Sequence, residues 1–295
     1  QSMIKQGRAR EIFAVGDVLT VGAAELVVAS IDTLQAPPTQ QVTYPHLVTF
    51  LFKYSPAALI FDLDNGGNRL QPTRDIYAVY GKSYYKPDST LIRNLLPGTL
   101  LSTLGYTVYE YISPQIRADY GSNVWKDSDI REWANLLQRK DATETLEKWF
   151  DKYETEPTPP YIYLQDQDPQ FAACIVASVT RTRKSRVDGS TEDELADKFF
   201  LPSYTEVTGL LNVTFMEGQQ FQVFKEKLAE LFEFGYISDD LRSIYGQTGW
   251  WLRSTPQTVD DDSGIEVRIV TTDDTGVQKK TVNQTLAAVI AFSIG

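Results

Sequence analysis

The residues most suited to chemistry in this chain are its many carboxylates, one histidine, one cysteine and one cluster of arginines. Asp260, Asp261 and Asp262, with Asp273 and Asp274 at the next turn, could hold calcium through oxygen ligands. The competing reading is a solvated, self-repelling loop, and the triplets with which sugar-binding lectins coordinate calcium, Glu-Pro-Asn, Gln-Pro-Asp and Trp-Asn-Asp, do not occur. In FDLDNGGN (61–68), Asp62 and Asp64 are spaced like the first ligands of an EF-hand loop. Gly66 and Thr73 then stand where two further ligands are required, so the stretch reads as a tight turn. No cofactor is expected.

Catalytic patterns are missing from this inventory. His46 lies in YPHLVTF, at a strand entry, and any Ser-His-Asp or Cys-His arrangement would have to use it. There is no G-x-S-x-G turn and no Gly-rich phosphate loop. Cys174, read here inside the apolar strand FAACIVASV, is the one cysteine, which excludes intramolecular disulfides and thiolate zinc clusters. Acidic residues are abundant enough for a carboxylate-pair glycosidase, yet no pair is singled out. The reading is therefore not an enzyme. RTRKSR (181–186) could dock an acidic neighbour or an anionic glycan, or form a solvated loop that balances TEDELAD beside it.

One further stretch, WWLRS (250–254), combines large apolar surface with a cation. In a strand, Trp250 and Trp251 point to opposite faces, one into the core and the other against a flanking element. Arg253 beside them needs backbone carbonyls or a carboxylate, because a buried unpaired guanidinium costs several kcal/mol. Asp129 and Glu206 are its candidate partners. The stretch is read as a determinant of the fold and not as a sugar platform.

The elements that must position these residues follow from periodicity. VLTVGAAELVVASID (18–32) reads as a hairpin and HLVTFLFKY (46–54) as another strand. Residues 55–105 are rich in proline and glycine and read as a loop-rich insertion. DSDIREWANLLQ (127–138) spaces Ile130, Trp133, Leu136 and Leu137 as a helix behind an Asp or Ser cap, and a second helix is expected at 141–153. The segment after the arginine cluster reads as a solvated flap. Ser203 and Glu206 form a capping box, and Phe221, Phe224, Leu228, Leu231 and Phe232 make one stripe of a further helix. A short helix capped by Ser238, a hairpin around Asp273–Gly276 and a last strand in AAVIAFSIG complete the expectation. The class is α+β, with residues 1–16 as an N-terminal arm and 17–295 as one domain.

Net composition limits the partners. With 28 basic and 39 acidic residues the chain carries a charge of −11, which disfavours nucleic acid. No apolar run approaches the ~20 residues of a membrane span, so no membrane insertion is expected. The first residues hold no hydrophobic segment of the kind a secretion signal requires, and assembly in a cytoplasm is expected.

The order of YGSNVWKDSDIREWAN (120–135), KFFLPSYTEV (198–207), WWLRSTP (250–256) and a short terminal strand resembles a C-type-lectin-like domain family of phage and prophage structural proteins from gut Firmicutes. That family is similar to the variable proteins of diversity-generating retroelements. The resemblance implies a C-type-lectin-like fold, with terminal strands brought together and helices and long loops between. It makes Trp125, Trp133, Ser203, Glu206, Trp250, Trp251 and Arg253 its structural motif. It also implies a virion protein, oligomeric in the particle and bound to other capsid or tail subunits. Two surfaces then follow as expectations. Lys5, Arg8 and Arg10 would mark an arm that docks the particle and stays off the core. Gln257, Asp260, Asp261, Asp262, Asp273 and Asp274 would face a host glycan or protein. The chain departs from the family pattern at Val124, at Ala134 and in its last strand.

Overall fold

The computed structural model describes residues 1–55, 57–62, 123–136, 156–185, 191–212, 215–226, 249–256, 266–271 and 277–295. It adds the backbone of three short strands, β5 (Tyr77–Tyr80), β6 (Ser83–Tyr85) and β7 (Thr107–Tyr109), which form one small antiparallel sheet. The architecture is mixed, with mostly strands and few short helices. No described helix is long and apolar enough to cross a membrane.

The main sheet runs β1 (Val18–Val21), β2 (Ala24–Ile31), β3 (Val48–Phe52), β16 (Ala291–Ile294) and β11 (Phe199–Phe200), with β8 (Ile175–Val176) also on β16. Every residue of β3 and β16 is buried, as their near-continuous apolar character requires of strands covered on both faces. Ile294 pairs with Val48 and Ala291 with Leu51, so the last strand lies antiparallel beside the third. Phe50, Phe52, Phe171, Phe199 and Phe292 form an aromatic cluster over it.

A second sheet runs β14 (Val277–Thr281), β13 (Glu266–Thr271), β12 (Gly249–Trp251), β15 (Thr285–Ala287) and β4 (Ala58–Ile60). β12 opens on glycine for a steric reason, since a Cβ at Gly249 would stand 2.3 Å from the Val270 carbonyl oxygen. A two-stranded ribbon, β9 (Ser178–Arg183) with β10 (Glu192–Asp197), stands apart from both sheets.

Several expectations are met and several are corrected. The β1–β2 and β13–β14 hairpins, the last strand and the Ser203 capping box are present. The helix over 127–138 spans Asp129–Asn135, with Ser128 as its cap, and Leu136 leaves the stripe half exposed in a left-handed conformation. The proposed strand FAACIVASV begins as helix, Pro169–Ala172, because Asp168 caps that turn by accepting from Gln170 N and Phe171 N. Cys174 therefore lies in the turn ahead of β8, not in a strand. Arg181 to Arg183 of the expected basic loop, and Glu192 to Asp197 of the expected flap, are strand, joined by β9–β10 pairing. Ala58–Ile60 belongs to the second sheet, so the core extends past residue 55.

The N-terminal arm is the largest correction. Residues Ser2–Lys5 are helical, Ile4 and Ala9 are buried in the main core, and Phe13 packs edge-on against Phe50 at 5.7 Å. Apolar side chains at positions 4, 9 and 13 fasten the segment that its charges suggested would stay free. The expected helices at 141–153 and around Ser238, and the continuation of the 221–232 stripe beyond Gln222–Glu226, lie outside the described residues.

Candidate functional site

The structure brings the second and third interior motifs together in one buried polar network, centred on Arg253. This side chain is wholly buried. It follows two tryptophans on β12, and its backbone N–H donates to the Pro202 carbonyl, which sets it against the start of helix Tyr204–Thr208. Its guanidinium clamps Glu206 bidentately, Nη1 to Oε2 and Nη2 to Oε1, both at 2.6 Å. The remaining donors reach the Leu201 carbonyl at 2.6 Å, the Glu217 carbonyl at 3.2 Å, and Thr182 Oγ1 at 3.2 Å. The Phe200 ring lies 5.6 Å from the guanidinium carbon. A fork whose donors are met in this way carries little of the penalty of a buried charge.

Glu206 is positioned by its own helix. Ser203 Oγ accepts from Glu206 N at 3.1 Å while Glu206 Oε2 accepts from Ser203 N at 2.9 Å, the reciprocal bonds of a capping box. Gly218, at φ +142°, leaves room for the carboxylate, where a Cβ would come within 2.9 Å of Oε1. Of the two partners expected for Arg253, Glu206 is the one used. Asp129 instead starts its helix, with its N–H donating to Asp62 Oδ1 at 3.1 Å.

Beside this pair lies a second buried carboxylate that no sequence pattern singled out, Glu217. It accepts from Ser254 Oγ and, at 3.2 Å, from Arg183 N. Burial pushes its pKa up, against the pull of the Ser254 hydroxyl and the Arg253 charge. Ser254 in turn accepts from Tyr204 N at 2.7 Å. Arg268 on β13 stacks over the Tyr204 ring at 4.4 Å and donates to Asn212 Oδ1 at 3.1 Å, and burial lowers its pKa.

The first motif locks onto the second in the same manner. Arg131 holds Asp197 through Nη2 at 2.7 Å and Nε at 3.0 Å, and Trp125 Nε1 donates to Asp197 Oδ2 at 3.2 Å. Asn135 Oδ1 accepts from Lys198 N and Phe199 N, while its Nδ2 donates to Phe199 O at 2.7 Å. Trp133 Nε1 donates to Pro157 O at 2.7 Å, and Trp251 Nε1 to Leu59 O at 2.8 Å. Both Trp250 and Trp251 are fully buried, and Trp251 meets Phe61 edge-on at 5.7 Å.

The remaining sequence candidates are placed elsewhere or not described. Lys5 lies over the Tyr44 ring at 4.8 Å, Arg8 pairs with Glu11 at 2.6 Å, and Arg10 is exposed. His46 contacts Asp32 at 3.2 Å near the surface. Arg181 and Lys184 pair across the ribbon with Glu194 and Asp193, so the basic cluster is balanced by the acidic strand opposite. Gln257, Asp260, Asp261, Asp262, Asp273 and Asp274, like Asp64, lie outside the described residues.

A family model described as a domain of unknown function, DUF6273, matches residues 99–294, about two thirds of the chain. No curated protein and no solved structure matches. The matched region contains all three motifs, yet the two sheets that hold it also use β1 to β4, which precede it.

Proposed function

The chain belongs to the DUF6273 family, and we propose that it is a non-enzymatic structural protein of a bacteriophage particle, a C-type-lectin-like domain displayed on the surface as a capsid or tail decoration. The observation that carries this reading is the inward orientation of the motif residues. Trp125 and Arg131 are bonded to Asp197, Trp251 to the Leu59 carbonyl and Arg253 to Glu206, and the side chains of Trp125, Arg131, Trp251, Arg253 and Glu206 are buried or nearly so. Such a frame holds the ends of its connecting segments rigidly and leaves them free to vary. The pairing of β16 with β3, which joins late and early strands, supports the lectin-like plan. Glu206 and Glu217, the carboxylates of the buried network, are engaged by Arg253 and Ser254, which weighs against the outlying reading of a surface-glycan hydrolase.

A dedicated receptor-binding protein of the tail is the second reading. The polar stretches 257–264 and 273–279, rich in Asp, Thr, Ser and Gln, suit hydrogen bonding to a host glycan or protein. β12, β13 and β14 hold both ends of these stretches.

Particles purified from the host cytoplasm, analysed by mass spectrometry and labelled with gold-tagged antibody, test the proposal. Label on heads or tails is the expected result, and absence from purified particles sinks it. Replacing Asp260, Asp261 and Asp262 by serine separates the two roles: a decoration protein keeps adsorption unchanged, whereas a receptor-binding protein loses it.

A further inference from the structure

The segment 1–62 packs on itself as well as on the remainder of the chain. Phe13 rests on Phe50, Gly16 N donates to the Val28 carbonyl and Val28 N to that of Asp17, and β1, β2 and β3 follow one another as an antiparallel meander. This unit lies wholly ahead of the family-matched region, 99–294. It joins that region along two seams of strand pairing, β3 on β16 and β4 on β15. Gln167, whose Oε1 accepts from Ala23 N at 2.9 Å, and Gln222, which brackets the N–H and carbonyl of Ile31 at 3.3 and 3.4 Å, add side-chain ties. β16 is buried throughout, and Leu286 and Ala287 of β15 are buried too. Without the unit both strands would turn unpaired backbone and apolar side chains to water, a combination that draws in another strand.

The seams are keyed to one register. Thr49 Oγ1 and Ser293 Oγ share a hydrogen bond at 3.1 Å within an otherwise apolar pairing. A slip of two residues would set Ser293 against Leu47 or Leu51 and bury both hydroxyls without each other. Between the seams, Ser55 Oγ accepts from Ala288 N at 2.8 Å. The end of the unit is gripped by the first and third motifs. Trp251 Nε1 donates to the Leu59 carbonyl at 2.8 Å, and Ile130 N to the Phe61 carbonyl at 3.2 Å. The Phe61 ring meets Trp125 at 6.1 Å and Trp251 at 5.7 Å. The motif tryptophans thus line a track for one extended segment, and that segment comes from outside the matched region.

We propose that the body built on the family-matched region is a strand acceptor, that residues 1–62 are its donor unit, and that a second copy of this chain supplies this donor in exchange for its own. This inference stands independently of the virion reading.

Exchange forms each seam bond again between chains, so the two arrangements differ in the path of residues 63–122 and not in what β16, β15, Trp125 and Trp251 hold. The stretch from Leu63 to β5 alone has a reach of ~45 Å at full extension, enough to pass from one copy to a neighbour. A connection of this length leaves the choice of partner to concentration: the chain's own unit is captured in dilute solution and a neighbour's where copies are crowded.

Disulfide trapping in the full chain tests the exchange. Phe52 N donates to Ile290 O, so by the alternation of an antiparallel ladder Thr49 and Ser293 form one of its close, non-hydrogen-bonded pairs, within reach of a disulfide. With the native cysteine removed by Cys174→Ser, Thr49→Cys chains and Ser293→Cys chains are mixed in denaturant, refolded together at rising concentration and oxidised. The expected product is a linked pair holding one chain of each kind, identified by mass spectrometry, whose yield rises several-fold with concentration. Both substitutions in one chain should close the same bond within a monomer in dilute solution. Leu59→Cys with Leu286→Cys reads the second seam in the same way. Absence of mixed pairs at both seams at every concentration would overturn the proposal. Mixed pairs at one seam alone would overturn the claim that residues 1–62 move as one donor, and pairs forming equally well from Thr49→Cys chains by themselves would show collision in place of strand exchange and overturn it too.

Discussion

Arg253 illustrates how one buried cation can organise three distant segments. It bonds residues 182, 201, 206 and 217 from a single fork, so its loss strands Glu206 in the interior. Arg253→Ala should destabilise the protein by about 3–5 kcal/mol in chemical denaturation. Arg253→Lys should recover only part of that, because an ammonium cannot serve both carboxylate oxygens in the plane of a fork. A fully stable Arg253→Ala variant would contradict this account. At Glu217 the sign of the pH effect is set by burial. Its folded-state pKa is raised, so the folded protein binds the proton more tightly than the unfolded chain does. The stabilisation is complete below the ordinary carboxylate range and is lost as pH rises through the raised value. Urea titrations across this interval should show stability falling with pH, and Glu217→Gln should flatten that component.

At the level of elements, the short helix Asp129–Asn135 acts as a bracket for the backbone it faces. Asn135 serves Lys198 and Phe199 with both ends of its amide, reproducing the pairing a neighbouring strand would offer to β11. Asn135→Ala should therefore cost about 2–3 kcal/mol, as buried backbone groups are left unpaired, whereas Asn135→Asp should keep the two acceptor bonds and lose only the donor. Thermal unfolding of the two variants checks the order.

For the whole molecule, the N-terminal segment decides where the domain begins. Ile4 and Ala9 are buried and Phe13 rests on Phe50, so deletion of residues 1–13 should lower stability by roughly 3 kcal/mol, from lost apolar burial alone. An unchanged melting temperature would restore the picture of a detached arm. The first strands and the family-matched region likewise cannot be parted without opening a sheet, because β16 is hydrogen-bonded to β3, and β15 to β4.

What the sequence determined by itself was local. The Ser203 capping box, the Ser128 cap, the hairpins and the buried last strand follow from short-range rules, in which a side chain meets backbone three or four residues away or alternates across a strand. The need of Arg253 for a carboxylate was equally legible, because the desolvation cost of a guanidinium beside two tryptophans allows few alternatives. The choice of Glu206 over Asp129 was a matter of tertiary structure, since both are acids at helix starts and only the packing of β12 against the Phe200–Ser203 turn brings one of them within 2.6 Å. Glu217 gave no sequence signal at all. Its surroundings, Ser254, Arg183 N and Arg253, come from positions 34 to 37 residues away, and burial of that kind is a property of the assembled core. The N-terminal segment was misread for the same reason: three spaced apolar residues without helical or strand period find their partners only on a surface that β2, β3 and β16 build together.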